Sequence, residues 1–139
     1  NLGVAVGVEG GVVVPVVRGA QALSIPELAR SITILAKNAR DETLSTEQTS
    51  HGSITLTNFG MSGVEIGVPI IRYPEVAIVG LGATKRRPGF GASGAVVARD
   101  EVHISLTFDH RVLDGMYGCG FMQALKKALE EEALTWPLD

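Results

Sequence analysis

Val102-His103-Ile104-Ser105-Leu106-Thr107-Phe108-Asp109-His110-Arg111-Val112-Leu113-Asp114-Gly115 decides how this chain is read. Val102, Ile104, Leu106 and Phe108 alternate with other residues, the period of a strand with one buried face. An apolar helical pattern opens after Gly115, so the stretch reads as a strand that gives way to a helix across a turn. His110 sits at that junction and extends the Phe108 face if the strand runs straight. A histidine fixed at a strand end can act as a general base near neutral pH. It can equally be a buried side chain satisfied by local hydrogen bonds. The carboxylate of Asp114 follows four residues later, and Gly115 permits a sharp turn. A His-x-x-x-Asp-Gly match arises by chance at roughly one in ten thousand positions.

Outward from this junction, the remaining segments describe an α/β layered domain with a mixed sheet. Ala95 to Ala98 and Val102 to Phe108 read as a hairpin turning at Arg99-Asp100-Glu101, with Arg86 to Gly94 as loop. Val76 to Leu81 reads as a buried strand ended by Gly82, and Ser53 to Asn58 alternates cleanly with Ile54 and Leu56 on one face. Phe59 to Gly63 is a glycine-bearing turn, and Thr43 to His51 is a polar loop. Ser24 and Glu27 fit a capping box with Pro26 in the first turn, so a helix starts there and ends near Arg40 or Asp41. Its apolar face carries Ile25, Leu28, Ala29, Ile32, Leu35, Ala36 and Ala39. Gly3 to Val8 and Val12 to Val17, separated by Glu9-Gly10-Gly11, read as a hairpin or as two neighbouring strands, and their valine content predicts burial on both faces. Pro15 predicts an edge position or a bulge there. Met116 to Glu132 is the second helix, with Phe121, Met122, Leu125, Ala128 and Leu129 as its stripe, and Gly118 and Gly120 permitting close approach.

Composition narrows the function classes. The chain has 139 residues, enough for one domain with its own core. Apolar residues make up 45% and charged residues 19%, which excludes a disordered tail and predicts apolar surface buried against other subunits. A net charge of -3 gives no electrostatic argument for nucleic acid or an anionic membrane. No apolar run is long enough to span a bilayer, and no signal peptide is visible. The single cysteine, Cys119, excludes an internal disulfide and suits a reducing compartment. The chain opens on Asn1-Leu2-Gly3-Val4 without a methionine, which reads as a piece of a longer protein.

Several ordered motifs carry a family resemblance. Ser105 to Gly115 resembles the active-site signature of the dihydrolipoyl acyltransferase (E2) components of 2-oxo acid dehydrogenase complexes. Gly52-Ser53-Ile54-Thr55-Leu56-Thr57-Asn58-Phe59-Gly60-Met61-Ser62-Gly63 resembles the family's second signature. Pro69-Ile70-Ile71, Val76 to Gly82, Val13 to Val17 and the capped helix match as well. Chloramphenicol acetyltransferase shares the His-x-x-x-Asp-Gly core, but usually has a second histidine where this chain has Asp109. The implied fold is a chloramphenicol-acetyltransferase-like two-layer α/β domain with a mixed sheet. Residues 1–139 would form the E2 catalytic domain with its N-terminal part absent, the family's lipoyl and peripheral-subunit-binding domains lying upstream.

The resemblance implies a mechanism. Neutral His110 takes the thiol proton of coenzyme A or dihydrolipoamide, and the thiolate attacks the acyl thioester. Thr57 matches the hydroxyl-bearing position that stabilises the oxyanion, although a threonine also simply suits a strand. Asp114 matches an aspartate that organises the site through an ion pair with an arginine upstream of the region covered here; it also suits a helix N-cap. Coenzyme A and lipoamide enter as substrates, and no metal is expected, since His51 and His103 lack ligand spacing with a partner. Family members form trimers that build cubic or icosahedral cores, with active sites between subunits and with E1 and E3 as partners. Bacterial cytoplasm and mitochondrial matrix both fit. Tyr73 to Ile78 and Lys85 to Phe90 resemble branched-chain members more than acetyl or succinyl members.

Other residues have plainer readings. Cys119, in the first turns of a helix, is expected to pack rather than react. Lys85-Arg86-Arg87 is expected to be a solvated turn rather than a site for coenzyme A phosphates. An inactive oligomeric scaffold and a free-standing acetyltransferase are the alternative functions.

Overall fold

The computed structural model describes residues 1–137. Its centre is a five-stranded mixed sheet in the order β4-β1-β5-β6-β9, built from Val16–Val17, Leu2–Val4, Ile54–Asn58, Ala77–Leu81 and Ile104–Phe108. The β1–β5 and β5–β6 pairs are parallel, while the outer pairs β1–β4 and β6–β9 are antiparallel. The expected mixed sheet is therefore present.

The valine-rich start forms the expected hairpin around Glu9-Gly10, but each of its two runs is split in two. It breaks into β1, β2 (Val6–Val8), β3 (Gly11–Val13) and β4, with β2 and β3 pairing as a separate hairpin. Pro15 marks the second crossing between hairpin and sheet. Proline offers no N–H to a ladder, so it accepts only, from the Val4 N–H at 3.0 Å, just before the edge strand β4. Burial on both faces holds for β4 but not for the hairpin, where Val12 is 66% exposed.

Helix α1 (Ile25–Arg40) begins as the sequence predicts. Ser24 Oγ accepts from the Glu27 N–H while the Glu27 carboxylate accepts from the Ser24 N–H, which satisfies two otherwise orphaned donors. That pairing with Ser24 also holds the Glu27 carboxyl below its usual range. Leu28, Ile32, Leu35 and Ala36 are half-buried and Ala39 is buried, but Ile25 and Ala29 at the start are exposed.

The expected hairpin is out of place. Strand β7 (Lys85–Phe90) pairs with β8 (Val96–Glu101) around a turn at residues 91–95, so Arg99, Asp100 and Glu101 lie in a strand rather than a turn. Residues 86–90, expected as loop, are strand as well. This ribbon is almost wholly exposed and buries no face, so it lacks the hydrophobic alternation that reveals strands. Strand β9 pairs instead with β6, carrying the chain back into the main sheet.

Helix α2 (Gly115–Lys127) continues as a wider π turn over Ala128–Glu132. It packs on β9 at Gly118, where an added Cβ would lie 2.6 Å from the Phe108 ring. Gly120, by contrast, faces open space. Phe121 and Leu129 of the expected stripe stay exposed, because β9 is the element beneath this helix. The fully buried apolar set is small and centres on Val6, Val16, Val17, Ala77, Ile78 and Val79.

Candidate functional site

His110 stands one residue beyond the last ladder contact of β9. The Asp109 N–H donates to the Val76 carbonyl at 2.8 Å, which extends the β6–β9 pairing to the edge of the turn. From there the chain folds around Asp109. Its carbonyl accepts from the N–H groups of Val112 and Leu113 at 2.9 and 3.0 Å. Its carboxylate accepts from the Arg111 N–H and Nε at 2.9 Å and from Nη2 at 2.6 Å. His110 is held between these two residues. Arg111 holds the Asp109 carboxyl down to about 2 from an ordinary 3.8, through its side-chain and backbone hydrogen bonds. The His110 side chain is exposed, and its ring lies 5.3 Å from that of Phe108 at a tilt of 42°. The imidazole is therefore anchored at its base and open at its tip, not sealed in a core.

Asp114 caps α2, accepting from the Tyr117 N–H at 3.0 Å. Among the described residues no arginine pairs with it, and Arg111 pairs with Asp109 instead.

Thr57 lies elsewhere. Cross-strand partners point to one face of a sheet, so Thr55, Thr57, Ile78, Gly80, Ser105 and Thr107 share a face. Thr57 is opposite Gly80, and Gly80 is opposite Ser105. An added Cβ at Gly80 would meet the Phe59 ring at 2.6 Å, so the glycine makes room for Phe59 beside Thr57. Ser105 and Thr107 carry buried hydroxyls without a hydrogen-bond partner. Thr57 also lines a cavity of about 620 Å³ with Ala5, Val13, Thr55, Pro69, Arg72 and Ile78 among its neighbours.

The register separates Thr57 from His110. Thr57 is level with Ser105, and β9 must run on through Phe108 to reach His110. The five residue steps from Ser105 to His110 span about 16 Å along the strand direction, and two strand spacings add about 10 Å sideways. His110 is not among the cavity residues. A single chain thus does not bring its two best candidate residues together.

One feature has no signal in the sequence. Glu75 is 6% exposed, yet it is ionisable. Its Oε2 accepts from Thr55 Oγ1 at 2.5 Å, and its Oε1 accepts from Arg72 Nη1 at 3.2 Å. Arg72 Nη2 also donates to the Thr49 carbonyl. The pattern Arg-x-x-Glu alone resembles any surface pair.

The secondary candidates separate as well. Cys119, expected to pack, is exposed on α2, because among the described residues the helix packs on β9 through its other face, at Gly118. Lys85, Arg86 and Arg87 are exposed as expected but lie in β7 rather than in a turn, and Arg87 pairs with Glu65. His103 Nδ1 lies 3.5 Å from Glu65 Oε1. Among the described residues no group of three His, Cys, Asp or Glu side chains could hold a metal ion. Among the described residues no helix is long and apolar enough to cross a membrane.

These features define a mixed-sheet α/β domain with an exposed histidine on a strand–turn–helix junction. The chain belongs to the 2-oxoacid dehydrogenase acyltransferase (catalytic domain) family, whose model matches residues 1–136. It is 42% identical over 134 residues to the dihydrolipoyllysine-residue acetyltransferase component of the acetoin cleaving system of Bacillus subtilis, covering 96% of this chain and 33% of that protein. It is 37% identical to the mitochondrial dihydrolipoyllysine-residue succinyltransferase component of the 2-oxoglutarate dehydrogenase complex of Saccharomyces cerevisiae, covering 98% of this chain and 30% of that one. Among solved structures, dihydrolipoamide acetyltransferase of Azotobacter vinelandii superposes with a TM-score of 0.88 at 32% identity, over 94% of this chain and 53% of that one. That structure concerns the catalytic roles of a serine, a histidine 52 positions after it and an asparagine 4 positions further on. The cubic core of a pyruvate dehydrogenase multienzyme complex matches with the same TM-score of 0.88, at 31% identity over 94% of this chain and 53% of that one. The chain spans about a third of the length of the curated relatives and about half of the solved chains.

Proposed function

We propose that this domain moves an acyl group between dihydrolipoamide and coenzyme A, with His110 as general base. His110 Nε2 or Nδ1, whichever is unprotonated, takes the proton of the incoming thiol. The thiolate then attacks the carbonyl carbon of the acyl thioester, and the Thr57 hydroxyl donates to the resulting oxyanion. When the tetrahedral intermediate collapses, the other sulfur leaves and recovers the proton from the imidazolium. Asp114 supports this indirectly, by capping the helix that follows the histidine turn.

The exposed, base-anchored placement of His110 is the observation that carries the reading. The spacing of residues supports it: Thr57 precedes His110 by 53 positions and Asp114 follows by 4, close to the serine, histidine and asparagine of the Azotobacter enzyme.

The separation of Thr57 from His110 favours a site completed between copies, in a homo-oligomer. Met61, Ile66, Val68, Ile70, Met116 and Tyr117 are all more than half exposed, which supplies apolar surface for such contacts. A trimer, assembled into a larger cubic or icosahedral core and served by E1 and E3 components, is the arrangement proposed. Coenzyme A and lipoamide are substrates, with the lipoyl group carried on another domain. The relatives' sources fit a bacterial cytoplasm or a mitochondrial matrix.

The two segments that resemble branched-chain members contribute little to the Thr57 cavity. Of the first only Ile78 lines it, and the second forms the start of the exposed β7–β8 ribbon.

The test is acyl transfer from an acyl-dihydrolipoamide to coenzyme A by the purified protein. Turnover that His110→Ala abolishes supports the enzyme. Oligomers without turnover support an inert scaffold, and acetyl transfer to a lipoate-free amine or alcohol supports a free-standing acetyltransferase.

A further inference from the structure

We propose that Arg72 is a selectivity residue that favours acyl groups ending in a carboxylate. This rests on the acyl-transfer reading of the Thr57 site. The cavity that contains Thr57 is lined by Ala5, Val12, Val13, Val14, Pro69, Ile70 and Ile78 on its apolar sides and by three threonines. Among the described residues, Arg72 is the single charged one lining it.

The guanidinium is fixed in place. It donates to the Thr49 carbonyl and to Glu75 Oε1, and Glu75 is itself tied to Thr55. Thr49, Thr55 and Arg72 all line the cavity, so the guanidinium sits at its wall. Two of its five N–H donors are used in this way, which leaves three for a ligand. The Arg72 side chain is 36% exposed while that of Glu75 is 1% exposed, so the cation is the accessible half of the pair. A buried ion pair is weak grounds for stability, because desolvation offsets most of its attraction. Its evident effect here is to hold a cation rigidly.

Apolar walls with one fixed cation match an aliphatic spacer that ends in an anion. An acyl carbonyl bonded to Thr57 would extend its chain along those walls, and a terminal carboxylate would accept charge-assisted hydrogen bonds from Arg72. A neutral acyl chain of equal length gains none of these.

The test compares succinyl and butyryl transfer to dihydrolipoamide by the whole protein, as kcat/KM from each coenzyme A thioester. The succinyl group is expected to be preferred, and Arg72→Met to lose succinyl transfer at least about tenfold more than butyryl transfer. Arg72→Lys should retain part of the preference. Arg72→Met leaves Glu75 buried without its cation, so Arg72→Met/Glu75→Gln is measured beside it and must show the same loss of preference, with thermal unfolding as the check on folding. Transfer without a carboxylate preference, or a preference that survives both variants, overturns the inference and leaves the acyl-transfer reading intact. No transfer from either donor sinks both.

Discussion

Thr57 and His110 lie at opposite ends of the central sheet. Thr57 is level with Gly80 and Ser105, whereas His110 lies beyond Phe108, the partner of Ala77 at the start of β6. Strand pairing fixes this separation, and side-chain rotation cannot close it. A base and an oxyanion donor acting on one thioester must both lie within hydrogen-bond reach of it. The proposed function therefore takes the two groups from two copies of the chain, each giving one end of its sheet.

The Thr57 hydroxyl is expected to act on the transition state more than on binding. Thr57→Val should lower kcat by about two to three orders of magnitude with little change in KM. Steady-state kinetics with varied coenzyme A and acyl-dihydrolipoamide checks it; a change confined to KM would make Thr57 a binding residue only.

The Asp109–Arg111 pair is expected to orient the imidazole. Asp109→Asn and Arg111→Met should each lower kcat by about 10- to 100-fold, through a misplaced His110. The pH response follows from the depressed carboxyl. A folded pKa of about 2, below the ordinary 3.8, means the clamp is ionised above that range and its contribution is lost as pH falls through about 2. Between roughly pH 5 and pH 9 the clamp stays charged. The loss in Asp109→Asn should therefore be the same at every pH in that window. A loss that appears only on one limb of the kcat–pH profile would contradict this role.

The two helix caps should be separable from chemistry. Ser24→Ala should cost about 1 kcal/mol of stability and leave kcat unchanged, since α1 lies outside the site. Asp114→Ala should cost a similar amount, about 1 kcal/mol, and also lower kcat, because α2 starts where the histidine turn ends. Asp114→Asn keeps a good cap and should retain most of both. Chemical denaturation alongside kinetics tests the set.

Legibility in the sequence followed burial. Ser53 to Asn58 was readable because its alternation is strict, and Ser24 with Glu27 because a capping box is a local device. Lys85 to Glu101 is not legible because an exposed ribbon needs no apolar face, so Arg99-Asp100-Glu101 imitates a turn. The break of the first valines into two sheets is set by tertiary packing around Pro15, which local pattern does not carry. Motifs single out His110, Thr57 and Asp114 as candidates, but not their separation, which exists only in strand register. Glu75 escaped because a buried carboxylate and a surface one share the same letter.

The shared site is tested most directly by mixing two inactive variants. Oligomers of His110→Ala alone and of Thr57→Val alone should be nearly inactive. Dissociated together and reassembled, or co-expressed, they should regain a fraction of the wild-type acyl transfer, because some interfaces then pair an intact His110 from one copy with an intact Thr57 from the other. Mixed oligomers that form but stay as inactive as their parents would contradict the account.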